Sequence, residues 1–319
     1  MAVVVRKMKV EDLVDAKGVD LLCWNDLLEK SYGIKGKLST RTDENILSFL
    51  HSDPEGSFVA SDEYAGVIGS CFSHVWGSTG WVGPLSVLPS YQARGLGKEL
   101  LRHSLRYIED QGCVDIGLEA MSDNVTNLGM YLKAGMKPEA LVLVLSKKIT
   151  PDEIEEEPSG KISVERFSES DVKAHLMTQM RKVSDSLRPG LDCAKEIELT
   201  QDFSFGDTLV ATAKGKVLGY SIVHTVSRRV DMPGSAVRVL HVDADAKEDV
   251  LEALVSSGEL MAADAGSPEI SIAVPAQTRH ALDLAFSRGY FIVQSYERLM
   301  WMGSSGLSDK KHNLCSWSG

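Results

Sequence analysis

The 319-residue chain has no apolar run approaching the roughly 20 residues that a membrane-crossing helix needs. Its first residues, MAVVVRKMKVEDL, offer only a short apolar stretch before charges intervene, which is not the pattern of a signal peptide. Positive charge is not in excess either. Asp and Glu number 45 against 34 Lys and Arg, a net charge of −11, which argues against a nucleic-acid binder working through a basic surface and favours a neutral or cationic ligand. Cysteine is scarce: Cys23, Cys71, Cys113, Cys193 and Cys315 are odd in number and show neither CxxC nor Cys/His metal spacing. These absences predict a soluble, cytoplasmic protein with reduced thiols, no metal, no nucleic acid and no membrane among its partners.

What is present concentrates in GPLSVLPSYQARGLGKELLRHSL, residues 83 to 105. An apolar, β-branched run stops at a proline, a loop follows, and from Lys98 onward Leu100, Leu101, Leu105 and Ile108 mark one helical face while Lys98, Glu99, Arg102 and Arg106 mark the other. Gly95 and Gly97 sit where that helix begins, and can take positive φ or admit a group that a Cβ would obstruct. The first amides of a helix lack internal partners and carry partial positive charge, so such a turn suits an anion, a phosphate above all. It is not a P-loop, since Lys98 precedes Glu99, and not a dinucleotide fingerprint, since Gly95-Leu96-Gly97 is followed by Lys98-Glu99-Leu100. An isolated GxG is more often a plain turn, so the surroundings decide.

Those surroundings resemble the GCN5-related N-acetyltransferase (GNAT) family. VLPSYQARGLGKELL is similar to its motif A, a strand followed by Gln/Arg-x-x-Gly-x-Gly/Ala and a helix, here Gln92-Ala93-Arg94-Gly95-Leu96-Gly97. The resemblance implies that these loop amides, with Lys98, hold the pyrophosphate of acetyl-CoA. It also implies that Leu85-Ser86-Val87 runs beside the pantetheine arm. Downstream, VDIGLEAMSDNVTNLGMYLKAGMKP resembles motif B, with Asn124, Tyr131 and Gly135 at the family's spacings, and the resemblance implies that Asn124 contacts the cofactor. Asn127 stands where a small residue is usual and Met136 where Phe is usual.

The plan is written twice. VVVRKMKVEDL near residue 3 is echoed by ISVERFSESDV near 162, VIGSCFSH at 67 by VLGYSIVH at 217, LSV at 85 by LHV at 240, and GCVDIGLEA at 112 by GSPEISIAV at 266. A repeat of roughly 150 residues is a duplicated domain rather than a solenoid, whose units run about 20 to 50. The fold class expected is α/β, a mixed sheet with packed helices in two tandem GNAT-like domains. Residues 1–149 form the catalytic domain, 150–160 an acidic, proline-containing linker, 161–303 a degenerate copy, and 304–319 a mobile tail. In the second copy Thr278, Ala285 and Ala273 replace Asn124, Tyr131 and Glu119, and the turn after LHVDADA has no glycine.

The resemblance assigns roles. Tyr131 is the expected acid that protonates the departing thiolate, a packed helix tyrosine being the alternative. Glu119 is the expected base, acting through water, with a solvated strand-end glutamate as the alternative. His74 could share that role, although His224 in the degenerate copy argues for a structural use. Trp24, Trp76 and Trp81 are candidate acceptor-pocket aromatics, and core packing is their commoner use. The expected reaction passes an acetyl group from acetyl-CoA to a primary amine in a ternary complex. Tandem members such as mycothiol synthases, where one copy is also degenerate, imply a small-molecule amine. A protein or peptide amine and a non-catalytic acyl-CoA sensor are the alternatives, for a monomer or homodimer.

Overall fold

The computed structural model describes residues 3–36, 38–150, 162–230, 232–246, 248–304 and 313–315. In the first half, β1 (Val3–Lys7) leads to α1 (Leu13–Tyr32), α2 (Asp43–Ser52), β2 (Phe58–Asp62), β3 (Gly66–Trp76) and β4 (Thr79–Val87). Then come α3 (Leu96–Asp110), β5 (Asp115–Met121), α4 (Val125–Lys133) and β6 (Lys137–Lys148). The second half repeats this order: β7 (Ser163–Arg166), α5 (Lys173–Leu187), α6 (Ala194–Asp202), β8 (Gly206–Ala213), β9 (Lys216–His224) and β10 (Ser235–Val242). It continues with α7 (Glu248–Asp264), β11 (Glu269–Pro275), α8 (Arg279–Ser287) and β12 (Phe291–Met302). No helix among the described residues is long and apolar enough to cross a membrane.

Local chemistry sets the boundaries. Thr42 caps α2, its hydroxyl accepting from the Asn45 amide at 3.2 Å, and Gly33 ends α1 in the left-handed region. Leu96, Leu100, Leu101, Leu105 and Ile108 form the buried stripe that holds α3 on the sheet.

The sheet does not follow the sequence boundary. One 13-stranded sheet runs β1-β2-β3-β4-β5-β12-β6-β11-β10-β9-β8-β7, with a thirteenth strand, β13 (Asn313–Cys315), paired to β10 off this path. The last strand of each half has crossed over: β12 pairs antiparallel with β5, with Arg298 opposite Glu119 and Leu299 opposite Leu118, while β6 pairs antiparallel with β11. The two crossing strands also pair with each other. Leu299 thus lies at 0% exposure in the first half's core and Leu145 at 0% in the second's, and each such burial contributes about 1.5–3 kcal/mol. The two domains expected as contiguous stretches therefore exchange strands; the linker beyond Thr150 lies outside the described residues. A third core joins the halves, with Trp76 and Trp81 packed against Leu176, Met180 and Leu191.

Where β4 meets β5 the two halves differ. β4 pairs parallel with β5 over Thr79–Trp81 alone, so from Val82 onward the strands part and leave a wedge beside the β4 backbone. β10 and β11 likewise pair only over Ser235–Val237. There the opening is filled by β13 (Asn313–Cys315), antiparallel to β10. The segment expected to be a mobile tail thus contributes a strand, because Leu314 and Cys315, at 1% and 0% exposure, are the apolar residues that fit the gap. The rest of that segment beyond Ser304 lies outside the described residues.

Candidate active site

The wedge beside β4 ends at the glycine loop. Gly95, at φ 87°, is the residue from which α3 starts, and no side chain caps the helix there, so its first amides stay available to an anion. Ala93 also takes positive φ, 59°. Gln92 folds back, its amide donating to the Val87 carbonyl at 2.9 Å, and Arg94 donates to the Ser90 carbonyl at 2.9 Å while lying over the Tyr91 ring. The loop is thereby braced by its own side chains. Leu96 is buried and Lys98 exposed. Gly97 packs so closely that a Cβ there would come 3.2 Å from the Met130 sulfur and 3.8 Å from Leu85. β4, α3 and α4 therefore converge at the glycine position. Ser86 and Val87 are buried and Leu85 half-buried along the wedge. From Gly95 a groove of about 670 Å³ continues along α3 past Lys98 and Arg102 to Ala134 and Trp301. Trp301 comes from β12, and its indole N–H donates to Glu109 at 2.7 Å.

Asn124 caps α4, its side-chain oxygen accepting from the Asn127 amide at 3.0 Å. That bond fixes the start of the helix carrying Tyr131. Tyr131 is 7% exposed, packs in the first half's core close to Cys71, and makes no hydrogen bond among the described residues. Burial raises its phenol pKa above the usual value, with a smaller contribution from Cys71, so at neutral pH the hydroxyl keeps its proton. Such a group can donate to a developing anion.

Glu119 is not a solvated strand-end residue. Its side chain is 1% exposed, and one carboxylate oxygen accepts from Arg298 Nη2 at 2.6 Å and Nε at 3.1 Å. Arg298, on the exchanged strand, is equally buried, and its guanidinium lies 5.4 Å from the centre of the Trp81 ring. The structure therefore engages Glu119 as the anchor of a charge supplied by the other half.

The aromatic expectations divide. Trp76 and Trp81 are each 1% exposed in the core shared by the halves, and Trp76 Nε1 donates to Glu196 at 2.9 Å. Neither presents an open face, because β3 and β4 turn these residues toward the second half. Trp24 is half-buried, with the Arg229 guanidinium 5.9 Å from its ring. His74 is buried, stacks on Trp76, and its Nε2 contacts the Gly83 carbonyl at 2.7 Å. Desolvation lowers its pKa, the nearby Asp53 opposing, so the neutral ring donates to that carbonyl. Sequence reasoning did not find Arg298, which reaches Glu119 from the other copy, and no local pattern could have marked it.

The model of the Acetyltransferase (GNAT) family matches residues 23–136. No curated protein sequence matches the chain. Among solved structures, a putative acetyltransferase from Pyrococcus horikoshii superposes with a TM-score of 0.69 at 17% identity, over 99% of this chain and 95% of that one. A GCN5-related N-acetyltransferase from Sphaerobacter thermophilus gives 0.63 at 14% identity, over 97% and 98%. A tandem GNAT protein from the clavulanic acid biosynthesis pathway gives 0.59 at 13% identity, over 95% and 100%. At these identities the likeness is one of fold.

Proposed function

Residues 23–136 belong to the acetyltransferase (GNAT) family, which makes the protein an acyltransferase, and from that premise we propose that it moves an acetyl group from acetyl-CoA to the primary amine of a small molecule. The observation that carries the reading is the open wedge along β4, closed at one end by the Gly95–Gly97 loop with bare helix amides and flanked by protonated Tyr131. The loop amides of Gly95 to Lys98 would hold the pyrophosphate and the β4 edge the pantetheine arm. The groove past Arg102 to Trp301 accommodates the nucleotide end. The bound donor supplies the thioester. Tyr131 donates its proton to the sulfur as the carbon–sulfur bond breaks, and the Glu119–Arg298 pair ties the exchanged strand to the strand end beside it. The amine nitrogen forms the new bond to the acetyl carbon and sheds its proton to solvent.

Among the described residues the second half has no counterpart for this chemistry. Its wedge is occupied by β13, and Ala285 stands at the tyrosine position. One acetyl-CoA per chain is therefore expected in calorimetry, and thiol release in the presence of a panel of small amines should identify an acceptor. Binding at two sites per chain, or binding with no amine of any class accepted, would contradict the reading, the latter leaving a sensor.

A further inference from the structure

β4 parts from β5 at a bulge. Trp81 is the last residue of β4 paired with β5, and just beyond it the ladder with β3 breaks register. Val82 faces Ser73 and Leu85 faces Cys71, so Gly83 and Pro84 stand opposite Phe72 alone. Such a two-against-one step bends a strand and increases its twist. Gly83 takes φ 140°, and Pro84 has no N–H to offer a ladder. Side chains hold the segment that borders the wedge at both its ends. At the far end the Val87 carbonyl accepts from the Cys23 thiol at 3.0 Å and from Gln92 at 2.9 Å. At the bulge itself the Gly83 carbonyl meets His74 Nε2 at 2.7 Å.

His74 is itself fixed from the other half. Its ring is 4% exposed, stacked on Trp76 at 5.5 Å and met edge-on by Phe49 at 5.3 Å. The Trp76 indole donates to Glu196 at 2.9 Å, and the neighbouring Lys195 reaches Asp53 at 2.7 Å. Both of these partners come from α6 of the degenerate copy. The equivalent histidine of that copy, His224, is used differently. Its Nε2 meets the Thr200 hydroxyl at 3.1 Å. The bulge of β10 lies at Arg238, and the opening beside that strand is filled by β13. Among the described residues, the bond from imidazole to bulge carbonyl thus belongs to the half whose wedge is open.

We propose that His74 is a positioning residue for acetyl transfer: its N–H holds the Gly83 carbonyl, and with it the bulge that keeps the β4 edge parted from β5 and presented to the thioester. The proposal rests on the acetyl-transfer reading above and adds a residue to that site. A backbone N–H on this edge, aimed at the thioester oxygen, stabilises the charge that develops there as the amine attacks. A displacement of about 1 Å in such a donor costs on the order of 100-fold in rate. The glycine loop holds the body of the cofactor independently, so the loss falls on rate rather than on affinity. The degenerate copy thereby bears on chemistry it does not touch, because α6 holds Trp76, and Trp76 holds the ring of His74.

Two variants of the full-length protein separate the bond from the packing. His74→Phe keeps an aromatic ring between Trp76 and Phe49 and removes the donor, whereas His74→Gln removes the ring and returns an N–H near the place of Nε2. With an amine accepted from the panel above, kcat for thiol release by His74→Phe should fall about 10- to 100-fold, while the CoA dissociation constant stays within about threefold of the parent's. His74→Gln should recover most of the rate. Acetyl-CoA labelled with carbon-13 at its carbonyl gives a second readout that needs no amine, since that resonance moves downfield when the oxygen accepts a hydrogen bond. The bound shift should persist in His74→Gln and return toward the free value in His74→Phe. A His74→Phe protein as active as the parent, or a His74→Gln protein as slow as His74→Phe, overturns the proposal. If either variant fails to fold, nitrogen-15 spectra of the histidine-labelled parent decide. An Nε2–H tautomer at His74 whose signal moves on adding acetyl-CoA supports the role, and an Nδ1–H tautomer or an unmoved signal overturns it. A parent that does not bind acetyl-CoA sinks the transferase reading, whereas binding and turnover with an indifferent His74→Phe sink only the positioning role.

Discussion

Tyr131 and Glu119 are expected from the sequence to act as a pair, and the structure gives them opposite surroundings. Tyr131 is a buried phenol with no hydrogen-bonding partner among the described residues. Tyr131→Phe should lower kcat roughly 10²–10⁴-fold, the usual contribution of a positioned general acid, and leave the acetyl-CoA dissociation constant nearly unchanged. An unchanged kcat with chemistry rate-limiting would remove the residue from the mechanism. Glu119→Ala should destabilise the fold by about 3–5 kcal/mol, because Arg298 is left buried without its partner. A Glu119→Leu/Arg298→Met double variant should recover most of that loss in urea denaturation. If the single variant is as stable as the parent, the pair has no structural weight. His74 and His224 are both buried and both hold depressed pKa values, desolvation being the main cause. The unfolded chain therefore takes up protons from near pH 6.5 downward that the folded one refuses, and stability is lost as pH falls from there toward the folded values. Thermal melts at about pH 5.5 should lie below those at about pH 7.5, and an opposite order would contradict neutral burial.

At the scale of elements, the strand, loop and helix from Leu85 to Asp110 were legible because everything that defines them is local. Gly95 takes φ 87° and an added Cβ there would meet nothing within 4 Å, so Gly95→Ala should cost only the conformational term, about 1–2 kcal/mol. Gly97→Asp differs in kind. Its Cβ would press on the Met130 sulfur, and its charge would stand at the helix amides where the pyrophosphate is expected, so calorimetry should show no measurable acetyl-CoA binding. Retained affinity would sink the loop assignment. The acceptor side was illegible for the opposite reason. Arg298 lies 179 positions from Glu119 in sequence, and the registers that bring them together depend on which strand enters beside β5. Trp76 and Trp81 were misplaced likewise: aromatic content marked them as notable, but the second half, not the chain around them, decides that they are covered.

For the whole molecule, the repeat was readable as residues and the exchange of strands was not, since a duplicated pattern looks the same whether each copy closes on itself or on its neighbour. Residues 1–149 expressed alone lack β12, so the β5 edge and the pocket for Leu299 are left open. The fragment should be insoluble or pair with further copies of itself, and co-expression with residues 150–319 should restore solubility and acetyl-CoA binding. A soluble, fully active monomeric fragment would show the exchange to be dispensable.

The same exchange fixes an order of events on the ribosome. β5 ends at Met121, and its neighbour β12 does not begin until Phe291. At about 5–20 residues per second, that edge waits on the order of ten seconds or more for the strand that covers it. The first half thus keeps an open sheet edge while the second half is made, and its completion requires the last part of the message to be translated intact.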